Sequence, residues 1–461
     1  MLPSITEGVL ETRASQSHVE KEGSEARDVD ACKSNSDGSA SSTSSRSRRK
    51  WGVFPAPPIK EPGPAPDGGL RAWLQVFAGH LTCFITWGLI TSFGIFQSTY
   101  EEMLNEAPST ISWIGTIQIF TLLLVGTLSG RASDAGFVHQ AVLIGTSLIV
   151  FGMFVTSIST QYYQFLLAQG IVVGLGMGIL YMPSLSVPSS YFTVKKPLAV
   201  AIVASGAGSG GLVYPVMIQQ LLPRVGFGWT IRSMAFVTLF VAILINLIMR
   251  VRVPARKSGP IADLHAFTEL DYVFFVIGFF LIYWAVYFAF YYIDLYGHTY
   301  ASFTSIDSIN LLLITNALGI PGRILPGFIA THFGPINTAI PTATSVAIVL
   351  YAWPAVAHAK GPLYAFAAAY GLVASAIQSL FAVSLAALTT DLSQLGTRMG
   401  MVFSVVAFAS LTGSPIAGAI VQACGGSYLG AQLWAASSML LGAAALVVAR
   451  VNRVGWALKK I

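Results

Sequence analysis

The sequence predicts an all-α integral membrane protein: twelve transmembrane helices in two related six-helix halves. Three observations predict it. Of the 461 residues, 54% are apolar and only 10% are charged, against roughly a quarter charged in an ordinary soluble domain. Apolar stretches long enough to cross a bilayer, about 20 residues each, follow one another along the chain. One stretch also occurs twice: YFTVKKPLAVAIVASGAGSGGLVYP, from Tyr191, returns in kind as GTRMGMVFSVVAFASLTGSPIAGAIVQ, from Gly396. Pro215 and Pro415 hold the same place in the two copies. In the first copy Gly206, Gly208, Gly210 and Gly211 remove side-chain bulk, so another backbone can approach closely. Pro215 is then expected to break the helix, which lipid tolerates only where neighbours satisfy the freed carbonyl.

Residues 1–68 are rich in Ser, Glu, Asp and Arg, then in Pro and Gly. They hold too little apolar surface to offset chain entropy and read as a disordered cytosolic tail. Its RSRRK run at 46–50 suits anionic headgroups or plain solvation equally. The polar first 50 residues do not read as a cleavable signal peptide. Spans 1 to 6 fall near 72–96, 111–130, 138–158, 163–186, 197–222 and 229–249. Spans 7 to 12 fall near 272–293, 307–330, 337–357, 361–386, 398–421 and 429–449. The halves are therefore 69–250 and 270–450, joined by a linker at 251–269 and followed by a tail at 451–461.

Lysine and arginine set the orientation, because they concentrate in cytosolic loops. With a cytosolic N-terminus, the inside loops hold Arg131, Lys195, Lys196, the cluster Arg250, Arg252, Arg256 and Lys257, and Arg398. The C-terminal tail adds Arg450, Arg453, Lys459 and Lys460. The outside loops keep Arg224 and Lys360, beside Glu101, Glu102 and Glu106. Both termini are expected inside, at the plasma membrane.

Composition also excludes functions. A net charge of +6 would point to nucleic acid in a soluble chain, but here the basic residues are loop anchors. Cys32, Cys83 and Cys424 are scattered, as are the histidines, and fit no disulfide framework or metal site. No cofactor is implied. No GxxxxGK[ST] loop supports ATP-driven pumping, and no nucleophile–base pair lies within the spans. An enzyme is not expected.

Two loops repeat a pattern. Gly130-Arg-Ala-Ser-Asp134-Ala-Gly136 follows span 2, and Gly327-Phe-Ile-Ala-Thr331-His-Phe-Gly334 follows span 8. The first resembles the loop 2–3 motif of the major facilitator superfamily, with its second glycine one residue early. In that family the glycines let spans 2 and 11 approach, and the aspartate meets a helix N-terminus. Pro66-Asp67-Gly68-Gly69, with Arg71 and Trp73, leads into span 1. Tyr191-Phe192-x-x-Lys195-Lys196-x-Leu198-Ala199 leads into span 5. Together these resemble the two signatures of the monocarboxylate porter family, its fungal members especially. Gly322-Arg323 and Arg398-Met-Gly-Met add to the likeness, which covers about residues 66–450. Leu70 and Pro197 depart from it, standing where an aromatic and a basic residue are usual.

The resemblance implies alternating access and transport of small organic acids, often with a proton; some fungal relatives export secondary products. It implies that Arg323 meets a substrate carboxylate. The aspartate that proton-linked members carry one turn earlier is Gly319 here, and their span 1 lysine falls at about Thr91. These departures count against lactate-type proton symport.

The residues themselves supply further candidates. Arg323 is the one basic residue well inside a span. Burying it costs about 2.5–3.5 kcal/mol on insertion scales, so it is a functional candidate or snorkels to the headgroups. His80 in span 1 is cheap to bury when neutral and can titrate near neutrality; a structural histidine is the alternative. In span 7, Tyr291 and Tyr292 suit an outer aromatic belt. Trp284 and Tyr287 lie deep enough either to line a pocket or to pack helices. Gln118, Asn316 and Gln378 are mid-span amides that can orient a ligand or bond across helices. No acidic residue after 68 falls mid-span: Asp271, Asp294, Asp307 and Asp391 sit at span ends. The expected partners are a small organic acid or metabolite, protons as a coupling ion, and the bilayer, with no nucleic acid. The leading expectation is a transporter of a small organic anion; the alternatives are an exporter of a secondary metabolite or toxin, and a membrane sensor that carries nothing. In the transporter reading Gly130, Asp134, Gly136, Gly206, Gly210, Pro215 and Pro415 serve conformational change.

Overall fold

A computed structural model of the chain describes residues 65–461, apart from 194, 253–262, 302, 357–358, 390–394, 457–458 and 460–461. The expected N-terminal tail to residue 64, most of the linker and part of the C-terminal tail lie outside the described residues, as does the Asp134 side chain.

Every regular element described is helical. Span 1 comes in three pieces, Leu70–Ile85, Trp87–Thr91 and Phe93–Leu104, broken at Thr86 and Ser92. Spans 2 and 3 are Pro108–Asp134 and Val138–Thr156. Span 4 starts at Tyr162–Phe165, passes through a π-helical stretch, Leu166–Val173, and ends as Gly174–Ser189. Spans 7 to 12 are Leu270–Ala301, Ser305–Phe333, Pro335–Ala352, Lys360–Leu388, Leu395–Ala423 and Leu429–Val454.

Eleven described helices are long and apolar enough to cross a membrane. One of them makes two crossings. Lys196–Ile248 has 53 residues, about 80 Å at 1.5 Å per residue, against a hydrocarbon core of about 30 Å. It turns back at Gly226, whose φ of 73° and ψ of 172° lie in a region essentially open only to glycine. Spans 5 and 6 are the parts on either side of Gly226.

The break thus falls at Gly226 and not at Pro215, which corrects the expectation from sequence. The helix runs on through Pro215, as span 11 does through Pro415. A proline forfeits one backbone bond, to the carbonyl four residues earlier, here that of Gly211. Gly211 is packed against the side chains of Thr91 and Asn316, so span 5 is held between neighbours on both sides.

The two halves repeat their packing. Span 1 lies on span 5 as span 7 lies on span 11; span 2 on span 4 as span 8 on span 10; span 3 on span 6 as span 9 on span 12. Between halves, span 2 packs on span 11 and span 5 on span 8. The glycine face of span 5 serves both directions. A Cβ placed on Gly206 would land on the His80 carbonyl, and one on Gly210 on the Phe84 carbonyl, both of span 1. Gly208 and Gly211 face Ile320 and Asn316 of span 8.

The repeated loop motif ends helices. Gly136 has a φ of 91° and Gly334 one of 94°, the left-handed region that glycine enters without penalty. Behind Gly136, the Phe137 N–H reaches the Ala132 carbonyl at 2.9 Å, closing the last turn of span 2. Gly130 faces Met182 of span 4 at 3.5 Å rather than span 11, contrary to what the resemblance implies. Spans 2 and 11 touch where Gly400 meets Thr127 and Gly418 meets Ser109.

Candidate functional site

Span 8 carries Asn316, Gly319, Arg323, Gly327 and Thr331 at helical spacings of three and four, which places them on one face. Arg323 is 4% exposed. Its Nη1 donates to the Gly319 carbonyl at 3.2 Å, and among the described residues no carboxylate pairs with it. A guanidinium has five donors, so most of this one's capacity is unused. Tyr283 and Tyr287 of span 7 and Cys83 of span 1 lie within its electrostatic reach. The Tyr287 hydroxyl and the Ser375 hydroxyl of span 10 are buried without a partner.

Beside Arg323 lies a cavity of about 120 Å³. Val200 and Ala204 of span 5, Gly327 and Thr331 of span 8 and Leu380 of span 10 are among the residues that line it. It meets the surface at Thr331, which is exposed. The far end of the molecule is shut. The Phe93 and Tyr291 rings, from spans 1 and 7, meet across the halves with centroids 4.8 Å apart; within the second half the Tyr292 hydroxyl donates to the Ser414 carbonyl at 3.3 Å. Tyr291 and Tyr292 are 1% and 0% exposed; both are covered by protein and do not form the lipid-facing belt expected from sequence. A drug-sized ligand needs about 300–1,000 Å³, so the cavity is a narrow one-sided entrance that must widen to admit a substrate.

The remaining candidates divide. Tyr287 sits beside Arg323, and Gln378, whose Nε2 has no partner, neighbours the cavity-lining Ser379. Asn316 donates to the Leu312 carbonyl at 3.0 Å and leaves its Oδ1 unpaired where spans 5 and 8 cross. The other three make contacts elsewhere. His80 uses both ring nitrogens on span 5, at 2.9 Å to the Ile202 carbonyl and 2.9 Å to the Ser209 hydroxyl. Trp284 donates to the Thr412 hydroxyl at 3.0 Å and packs edge-on against Trp434, toward spans 11 and 12. Gln118 reaches the Met177 sulfur at 3.4 Å inside the first half.

Sequence reasoning missed Asp294. Placed at a span end, it is 2% exposed, and its Oδ1 is buried with no partner. Span 7 runs 32 residues, well past the 20 or so that a bilayer requires. The turn from Tyr291 to Asp294 is covered by protein, and exposure begins only at His298 and Thr299, which a hydropathy window does not register. Ser375 was also missed; a small hydroxyl in an Ala-rich span carries no signal of its own.

A family model described as the Major Facilitator Superfamily matches residues 76–370. An MFS-type transporter of Gibberella zeae is 44% identical, over 85% of this chain and 89% of its own length. The MFS-type transporter opdF of Penicillium oxalicum is 34% identical, over 87% of this chain and 95% of its own. The aspyridones efflux protein apdF of Emericella nidulans is 31% identical, over 84% and 79%.

Proposed function

The chain belongs to the major facilitator superfamily, whose members are transporters and not enzymes, and from that premise we propose that it carries an organic anion by alternating access. The observation behind the substrate class is Arg323: a buried cation with no counter-ion among the described residues, on the wall of the cavity. A planar guanidinium suits a carboxylate, which it can hold through two parallel hydrogen bonds. Tyr283 and Tyr287 beside it suit a ligand with an apolar or aromatic body. The monocarboxylate porter signatures at Asp67 and Tyr191 support the same reading at subfamily level.

In this proposal the halves 69–250 and 270–450 rock about the contacts of spans 2 with 11 and 5 with 8. The basic loops face the cytosol, both termini are inside, and the membrane is the plasma membrane. The cavity at Thr331 then opens inward, and the closure at Phe93 and Tyr291 is the outer gate.

A second reading, export of a secondary metabolite, is favoured by a specific observation. A relative that matches 84% of this chain bears the name of an efflux protein. The two readings meet in an exporter of acidic metabolites. A panel of labelled acids and their neutral esters, tested for uptake and efflux in a host without its own carriers, tests the proposal. Acids should move and esters should not, and Arg323→Gln should abolish the difference. Undiminished acid flux in Arg323→Gln would remove Arg323 as the anion site. Saturable binding without flux would make the protein a sensor.

A further inference from the structure

Where spans 1 and 5 begin, hydrogen bonds tie four elements of the first half into one junction. The Asp67 carboxylate accepts from Thr193, and the Asp67 N–H donates to the Tyr191 carbonyl. Gln75 of span 1 donates to the Ile248 carbonyl at 3.0 Å and accepts the Arg250 N–H at 2.8 Å, both at the exit of span 6. The Tyr191 hydroxyl donates to the Arg250 carbonyl at 3.1 Å. Arg252 Nη1 donates to the carbonyl of Ser190, at the end of span 4, at 2.8 Å. Five cations stand within four residues of these bonds: Arg71, Lys195, Lys196, Arg250 and Arg252. The first four are exposed, and among the described residues no carboxylate forms an ion pair with them.

The second half is built differently at the same place. Spans 7, 11 and 12 stand there as spans 1, 5 and 6 stand in the first half. Arg398, where span 11 begins, meets Glu269 at 2.6 Å and Asp263 at 3.2 Å. Arg453, at the exit of span 12, meets Asp271 at 3.3 Å. Like charges gathered without carboxylates repel one another, a cost that an anion from outside the chain removes. An apolar stripe leads away from the cations of the first half. Leu70, Leu74 and Phe77 lie on one face of span 1 and are 77%, 37% and 47% exposed. Leu270 and Ile277 of span 7 are also exposed, at 60% and 43%, but beside cations that are already paired. A soluble anion has no use for such a stripe; a phospholipid uses both the stripe and the cations.

We propose that this junction is a binding site for a phospholipid with a phosphorylated, multiply anionic headgroup. The phosphates lie among Arg71, Lys195, Lys196 and Arg250, and an acyl chain follows Leu70, Leu74 and Phe77. Basic residues at the end of a membrane span attract anionic headgroups, and each one near the surface adds to the affinity. The bound lipid bridges the entries of spans 1 and 5 and the exit of span 6, so it reinforces the clasp from outside. The site rests only on the chain's crossing a membrane; it is independent of Arg323, of the substrate and of the direction of transport.

The test needs no substrate. The full chain, purified in an uncharged detergent, is titrated with fluorescent phosphatidylinositol bisphosphate and, separately, with phosphatidylcholine carrying the same dye. The first should bind about tenfold or more tighter, and added salt should weaken it. Arg71→Gln and Lys196→Gln should each weaken it about fivefold. Both positions are exposed, and the unfolding temperature without lipid shows whether each variant folds; Lys195→Gln replaces one that does not. Lys459→Gln removes an exposed cation elsewhere and should leave binding unchanged. Equal affinity for the two lipids, or an equal loss in Lys459→Gln, would overturn the site. Displacement of the labelled lipid by inositol trisphosphate as readily as by the unlabelled lipid would make the ligand a free polyphosphate and overturn the lipid assignment. Loss of anion transport in Arg323→Gln with lipid binding intact would confirm that the two sites are separate.

Discussion

The Asp67 carboxylate caps the approach to span 5: one oxygen accepts the Thr193 backbone N–H at 2.5 Å, and the other accepts the Thr193 hydroxyl. The Asp67 N–H in turn donates to the Tyr191 carbonyl at 3.1 Å. Trp73 lies against Phe192 with ring centroids 5.1 Å apart. The two signature stretches, far apart in sequence, are thus two sides of one clasp that ties the entries of spans 1 and 5. Hydrogen bonds to a charged group contribute about 1.5–3 kcal/mol. Asp67→Ala and Thr193→Val should each lower the unfolding temperature in detergent, the first by more because valine keeps the backbone N–H, and the double variant should lose little more than Asp67→Ala alone. Simple additivity would show that the two residues do not act together.

Glycines that look alike in sequence should respond differently. Gly206→Ala puts a methyl on the His80 carbonyl, a backbone atom that cannot swing aside. Overpacking of this kind costs about 1–3 kcal/mol. Gly130→Ala meets only the Met182 side chain, at 3.5 Å, and Met is a flexible neighbour. Transport should fall in the first variant and persist in the second, at equal surface expression. Equal activity in both would remove the argument from close helix contact.

Arg323→Lys keeps the charge but loses the planar fork, so affinity for an anion should fall while some flux remains. Gly319→Asp is the more informative change. A Cβ at 319 lies 2.9 Å from Arg323 Nη1 and 2.7 Å from Ser375 Oγ. Both are ends of side chains and can shift, so the new carboxylate should pair with the guanidinium. Anion transport should then weaken at neutral pH and recover on acidification, as the carboxylate is protonated and frees Arg323. A pH profile identical to that of the parent would show that position 319 does not reach the site.

Before span 7, Glu269 receives two hydrogen bonds from Arg398, at 2.8 and 2.6 Å. The Arg398 Nε also donates to Asp263 at 3.2 Å, and its guanidinium stacks on Tyr272. These bonds hold the Glu269 carboxyl below the ordinary carboxylate range. Because the folded value is the lower one, the stabilisation is fully present above the unfolded value, about 4.3. It disappears as pH falls through the folded value. Glu269→Gln should therefore unfold at a lower temperature than the parent near neutrality, and the gap should close as acidification protonates Glu269 in the folded protein. A gap independent of pH would assign the loss to packing instead.

What the sequence determined by itself was whatever follows from solvation and repetition. Apolar runs of bilayer length define the spans, because every backbone polar group in lipid must be satisfied within a helix. Recurrence of the Gly-rich, proline-bearing stretch reported two equivalent halves, and Arg323 stood out because a charge in an apolar run is costly wherever it points. Tertiary structure decided what depends on facing. It split the glycines of span 5 between spans 1 and 8 and put the chain reversal at Gly226 rather than Pro215. It turned His80, Trp284 and Gln118 toward other helices while leaving Tyr287 beside Arg323. It also enclosed Asp294, a residue that hydropathy places at a membrane surface. A linear pattern records how apolar a neighbourhood is; which neighbour covers a side chain is set by helix rotation and crossing, and those are fixed only when all twelve spans pack together.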